Sequence, residues 1–287
     1  MKLKFTRPLI WNYGGGVDSS AGIVGSKRRG VRPDLVIFAD TGGEKPETYA
    51  YLDIMDAYLK KIGFPAITRV AYKPTRVKYH NLEENCLINE TLPSLAFGYK
   101  SCSLKFKAEV MDRFLLGVSR GPNKNPGWGP AKKSLAKGVK PTKFIGYDNG
   151  PKDSRRSVSK GEDDNFHYVY PLRVWGWDRQ RCMEELIDEG LPVPLKSACF
   201  FCPASKKWEL YWLAARHPDQ FLRSIAIEDN ARAGEHGLGN VKGLNRKWSW
   251  RGWAEEEGII AGNEIIMTKR LLLKAAMEDK PDGESNK

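Results

Sequence analysis

The stretch Leu9-Ile10-Trp11-Asn12-Tyr13-Gly14-Gly15-Gly16-Val17-Asp18-Ser19-Ser20 restricts the fold more than any other part of the chain. Leu9-Ile10-Trp11 reads as the end of a buried strand and Ser19 onward as a helix, so three consecutive glycines fall in a strand-to-helix turn. Glycine there accepts positive φ and lets a ligand approach the main chain. The helix start supplies unpaired N–H groups and the positive end of its dipole, which suits a phosphate. The bland alternative is a plain tight turn. No Gly-Lys-Ser/Thr follows, so this is not a Walker loop, and Asp18 and Ser19 interrupt the dinucleotide-binding glycine pattern.

The pattern continues as α/β. Residues 34–40 form an apolar run bounded by aspartates, which fits a strand buried on both faces. It ends in Asp40-Thr41-Gly42-Gly43, and Pro46 opens a helix that closes at Gly63. Residues 66–71 read as a third strand and 144–148 as a fourth. Strands alternating with helices predict a parallel twisted sheet with flanking helices, whose ligands bind outside the carboxyl ends of the strands. Residues 105–116 show helical spacing of Phe106, Val110, Phe114 and Leu115. Asp178 is a candidate N-cap for a helix that stops at Gly190. The expected organisation is an α/β domain over 1–195 with a flexible basic insertion at 117–143, a helical C-terminal subdomain at 196–275, and a disordered tail at 276–287.

At 287 residues and 41% hydrophobic content the chain can bury a sizeable core, and no window approaches the ~18–20 apolar residues of a membrane span. Met1 to Pro8 shows no leader pattern, which predicts a cytoplasmic protein without membrane association. The 47 basic against 35 acidic residues, net +12, favour a polyanion such as DNA or RNA, or simply a nucleotide. Five cysteines, an odd number, argue against a disulfide framework and direct attention to thiol chemistry or metal binding.

Four segments together carry a resemblance. Gly14-Gly15-Gly16-Val17-Asp18-Ser19 resembles the pyrophosphate loop of the N-type ATP pyrophosphatases (PP-loop proteins, adenine nucleotide alpha hydrolase-like). Residues 38–48, "FADTGGEKPET", the segment Cys102-Ser103-Leu104-Lys105-Phe106-Lys107, and residues 170–194, beginning Tyr170-Pro171-Leu172, are similar to segments of the phosphoadenosine-phosphosulfate (PAPS) reductase-like branch. The resemblance spans roughly residues 8–220. It implies an adenine nucleotide site for ATP, or for the adenylyl sulfates PAPS and APS. Gly14, Gly15, Gly16, Ser19 and Ser20 would cradle phosphate, Asp18 would order the turn or Mg²⁺, and Asp40 and Thr41 would lie near ribose or base. By the same resemblance Asp153, Ser154, Arg155 and Arg156 would meet phosphates, and Asp18, Ser19 and Lys105 are the catalytic candidates. Gly14 replaces the loop's usual first serine. The reductases' cysteine-bearing C-terminal signature is absent, its nearest string being Glu235-His236-Gly237-Leu238-Gly239.

Cys199 and Cys202 form a Cys-x-x-Cys pair, which can chelate a metal or cluster or form a redox disulfide. With Cys102 the resemblance implies three thiolates on a [4Fe-4S] cluster, one iron remaining open. The alternatives are a structural Zn²⁺ with a histidine such as His217 as fourth ligand, or plain buried cysteines. Cys86 and Cys182 read as core. Trp248, Trp250 and Trp253, interleaved with Arg246, Lys247 and Arg251, suit either base stacking or a packed face. The expected function is adenylation of a substrate with release of pyrophosphate, coupled to sulfur transfer. The alternatives are an adenylyl sulfate reductase using the Cys-x-x-Cys pair, and a zinc-stabilised nucleic-acid-binding module.

Overall fold

Alternating apolar segments assemble into a five-stranded sheet of order β3-β2-β1-β4-β5, with β1 at Leu9–Asn12, β2 at Leu35–Asp40, β3 at Ile67–Ala71, β4 at Thr142–Ile145 and β5 at His167–Val169. Every pairing in it is parallel. The computed structural model describes residues 3–151, 153–154 and 162–277.

Side chains alternate across β1 as the strand period requires. Leu9 and Trp11 join the core formed with α1 (Val17–Arg28), α2 (Pro46–Lys61) and the helix Arg179–Asp188. Ile10 joins the opposite core with Met111 and Leu115 of the helix Glu109–Leu116. Both faces are covered, which is why β1 and β2 are apolar up to their last residues, Asn12 and Asp40, rather than alternating. The chain passes from β1 to β2 and β3 on one side, then returns to place β4 on the other side of β1. That reversal puts a crevice between the carboxyl ends of β1 and β4, the position where ligands bind in open α/β sheets.

Asp178 caps its helix as expected, its side chain accepting from Arg181 N. The fourth strand begins two residues earlier and ends three residues earlier than predicted, at Thr142–Ile145. The segment 117–143, expected as a flexible basic insertion, has local structure of its own. It contains a helix, Gly129–Ala136, that buries Ala131 and Ser134, and Ser134 Oγ donates to Val139 O at 2.8 Å. The last helix, Lys269–Met277, extends into the expected tail, and residues 278–287 lie outside the described residues.

A further core unites the C-terminal helices Lys207–Arg216, Pro218–Ala233 and Trp250–Glu256 with Tyr79, Leu82, Cys86, Leu92, Ala96 and Phe106. Residues from the middle of the α/β region therefore complete the helical unit. Trp250 and Trp253 are buried in this core, which removes them as base-stacking surfaces. No described helix is long and apolar enough to cross a membrane.

Candidate functional site

Gly16 is the N-cap of α1, and no side chain caps that helix, so its first N–H groups are left to the turn. Gly15 adopts φ +72°, and a Cβ there would also meet Thr48 Cγ2 at 3.0 Å. Gly146, just after β4, comes so close that its Cβ would lie 2.7 Å from Ser19 Cα. A main-chain neighbour cannot swing aside, so Gly146→Ala should displace the first turn of α1 and destabilise the chain by about 1–3 kcal/mol, read by urea unfolding; unchanged stability would show that the backbone yields at no cost. Gly14 is exposed at the turn. Ser19 Oγ donates to Gly16 O at 3.0 Å. Ser20 is fully buried, with its hydroxyl on Gly16 O at 2.9 Å and Tyr13 OH at 2.9 Å, where it braces the turn from behind.

Asp18, Asp148 and Asp153 converge at the crevice, and a ligand oxygen from each lies within 4.8 Å of the others. Among the described residues this is the one such group of three metal-ligating side chains. Arg179 Nη1 donates to Asp18 Oδ1 at 3.0 Å. Burial pushes the Asp18 carboxyl above its ordinary range; Arg179 draws it down, and Asp148 and Asp153 add to the rise. Three hard oxygen donors that repel one another fit a Mg²⁺-type cation, which would relieve that repulsion. Ser154 is held by its N–H on Gly150 O at 2.9 Å and its carbonyl on Arg173 Nη1 at 3.1 Å. Arg155 and Arg156 lie outside the described residues. Asp148 and Arg179 were not legible as site residues, since nothing local to them announces that β4 neighbours β1.

The loop after β2 forms a second centre on the same sheet edge. Asp40 Oδ1 accepts from Gly42 N and from Tyr49 OH, each at 2.8 Å, which closes the loop. Thr41 Oγ1 lies 3.1 Å from Cys199 Sγ. Glu44 is buried, its Oε1 accepting from Lys107 Nζ at 2.8 Å while its Oε2 has no partner. Glu44 and Cys199 also pair through their backbones. A Cβ on Gly16 would meet Ser197 Oγ at 3.1 Å, and Ser197 is two residues from Cys199, a span of at most about 7 Å. The Cys-x-x-Cys pair thus sits directly beside the glycine turn.

Burial raises the Cys199 thiol, with Glu44 adding to the rise and Lys107 and Thr41 opposing it. Burial likewise raises Cys202, and Cys102 is close enough to add to that rise. Cys102, Cys199 and Cys202 all pack on the C-terminal core, so the three candidates share one neighbourhood. Three thiols in one neighbourhood are a donor set that suits an iron–sulfur cluster or a zinc ion. In metal-free protein at pH 8, half-buried Cys102 should be alkylated by iodoacetamide before Cys199, which stays protonated and enclosed; peptide mass spectrometry reads the order, and faster Cys199 labelling would contradict the burial.

His217 is not with the thiols: its Nε2 meets Glu47 Oε1 at 2.6 Å. Lys105 turns to Tyr79, donating to its hydroxyl and lying over its ring. Lys107, two residues on, is the lysine that faces the thiol centre. Desolvation lowers its ammonium, but Glu44 and the two thiols outweigh that and raise it overall.

No protein-family model matches the chain, and no curated protein matches it. Among solved structures, the U34-tRNA thiolase NcsA from Methanococcus maripaludis with its [4Fe-4S] cluster aligns at 13% identity and a TM-score of 0.39, over 92% of this chain and 85% of that one. The roles of the residues therefore rest on their own geometry.

Proposed function

We propose that the protein is an ATP pyrophosphatase-type enzyme of the PAPS reductase-like branch, which adenylates an acceptor and couples this to sulfur transfer. The observation that carries the reading is the three-carboxylate group at the mouth of an uncapped helix and its glycine turn, with a thiol centre on the same edge. The turn and the N–H groups of α1 would receive the β and γ phosphates, leaving the α phosphorus toward the carboxylates. The acceptor oxygen attacks that phosphorus, the bond to the β phosphate breaks, pyrophosphate leaves and the acceptor proton passes to solvent. Displacement of AMP by a hydrosulfide-level sulfur then puts sulfur where the oxygen stood, with no net oxidation.

Asp18, Asp148 and Asp153 would hold Mg²⁺, which supplies charge neutralisation at the phosphates. Cys102, Cys199 and Cys202 would hold a [4Fe-4S] cluster, which supplies an iron open to a sulfur ligand. Arg179 orients Asp18 and opposes the rise that burial imposes on its carboxyl.

The test uses anaerobically purified protein, with iron, acid-labile sulfide and zinc measured per chain and the products of α-labelled ATP separated. AMP with pyrophosphate, and iron and sulfide lost together in Cys102→Ser, are expected. ADP with phosphate would overturn the adenylation reading, and zinc alone would make the thiols structural. Sulfite release dependent on adenylyl sulfate would assign the reductase activity instead.

A further inference from the structure

Three chain segments meet beside the thiols. The segment 72–80 leaves the carboxyl end of β3 and packs on the helical turn at 104–108, with Tyr72 stacked on Tyr79 and tilted against Phe106. A β-bridged excursion at Val118 and Asn125 reaches the same place, where Asn123 Nδ2 donates to Lys73 O at 2.9 Å and Pro74 O at 2.8 Å. The segment 98–108 carries Cys102. Together 72–80, 98–108 and 118–127 hold eight lysines and arginines and no aspartate or glutamate. Lys105 and Lys107 are engaged with Tyr79 and Glu44, while Lys73, Arg76, Lys78, Lys100, Arg120 and Lys124 are exposed.

On the segment 98–108, next to Lys100, stands Tyr99, 70% exposed. Its backbone is held: Tyr99 N donates to Ser94 O at 3.0 Å, and Cys102 N donates to Ser94 Oγ at 2.9 Å, so one serine anchors the main chain of both residues. Tyr99 and Cys102 are three residues apart, at most about 11 Å. Arg246 closes the other side, its guanidinium 3.1 Å from where a Cβ on Gly98 would stand.

We propose that this face is the docking surface for a single-stranded polynucleotide, with Tyr99 stacking one unpaired base and the surrounding cations holding its phosphates. The chemistry is that of a stacking platform within a basic track, which favours single strands because paired bases cannot reach the ring. The inference rests on the adenylation reading and deepens it by naming the acceptor class, with Tyr99 and Cys102 three residues apart on one segment.

Fluorescence anisotropy of labelled U20, dT20 and a 20-base-pair duplex, over a series of salt concentrations, tests it on the full chain. Single strands should bind more tightly than the duplex. Tyr99→Ala should weaken them by roughly 5- to 100-fold. The triple Lys73→Gln/Arg76→Gln/Lys78→Gln should flatten the salt slope by about 2. Lys100→Gln/Lys124→Gln gives a second, milder variant should the triple unfold. Lys132→Gln/Lys133→Gln/Lys137→Gln, around a cleft of about 620 Å³ at the opposite edge of the sheet, should leave binding unchanged. A preference for U20 or for dT20 identifies the acceptor as RNA or DNA. Tighter duplex binding, no binding at 50 mM salt, or loss only in the opposite-edge triple would overturn the proposal. Pyrophosphate release from ATP without strand binding would sink this surface alone; strand binding without pyrophosphate release would sink the adenylation reading and leave the surface standing.

Discussion

Asp18→Asn lowers Mg²⁺-dependent pyrophosphate release by at least about 10²-fold while raising the melting temperature of the metal-free protein. The first effect follows from the proposed function, in which Asp18 is one of three carboxylates that would hold the cation balancing phosphate charge. The second follows from the sign of the Asp18 shift. Its folded pKa is raised above the ordinary 3.8, chiefly by burial, so its contribution to stability is fully present below that ordinary value and is lost as pH rises through the elevated one. Once pH exceeds that elevated value, the buried carboxylate is a cost that asparagine removes. Calorimetry at pH 4 and pH 7.5 should show the variant's advantage only at the higher pH, and added Mg²⁺ should stabilise the wild type more than the variant. A variant that keeps full activity, or that melts lower at pH 7.5, would remove Asp18 from the cation site.

Glu228→Ala destabilises the chain by about 3–5 kcal/mol, because that buried carboxylate organises the C-terminal core. It is fully enclosed and accepts from Leu244 N at 2.7 Å, Trp250 N at 2.8 Å and Arg251 N at 3.2 Å, as well as from the Ser249 hydroxyl. Truncation leaves several buried donors unanswered, each costing about 1–3 kcal/mol. Arg232 sits 3.5 Å away and shares the charge. Urea unfolding followed by tryptophan fluorescence reads the loss, and a change below about 1 kcal/mol would show that water or rearranged backbone takes over the donors. The same core carries Cys102, Cys199 and Cys202 on its margin, so Glu228→Ala should also speed their alkylation by iodoacetamide.

What the chain declares locally is the set of features with a short-range signature. The glycine turn, the apolar β1 and β2, Pro46 opening α2, the Asp178 cap and the Cys-x-x-Cys spacing all depend on residues within a few positions of one another. The helix Gly129–Ala136 escaped notice because Pro130 and the flanking glycines read as breakers, although proline in the first turn costs no hydrogen bond. Tertiary structure alone decided the rest. Asp148 became a partner of Asp18 because β4 lies beside β1, and Arg179 reached Asp18 because its helix packs along α1. Lys107, rather than Lys105, faces the thiols because the π-type turn Leu104–Ala108 rotates successive side chains to different faces. Cys199 met Thr41 across 158 positions of sequence. Such pairs have no periodicity or turn chemistry linking them. They are selected by which hydrophobic faces must be buried together, and that is a property of the assembled sheet and its helices.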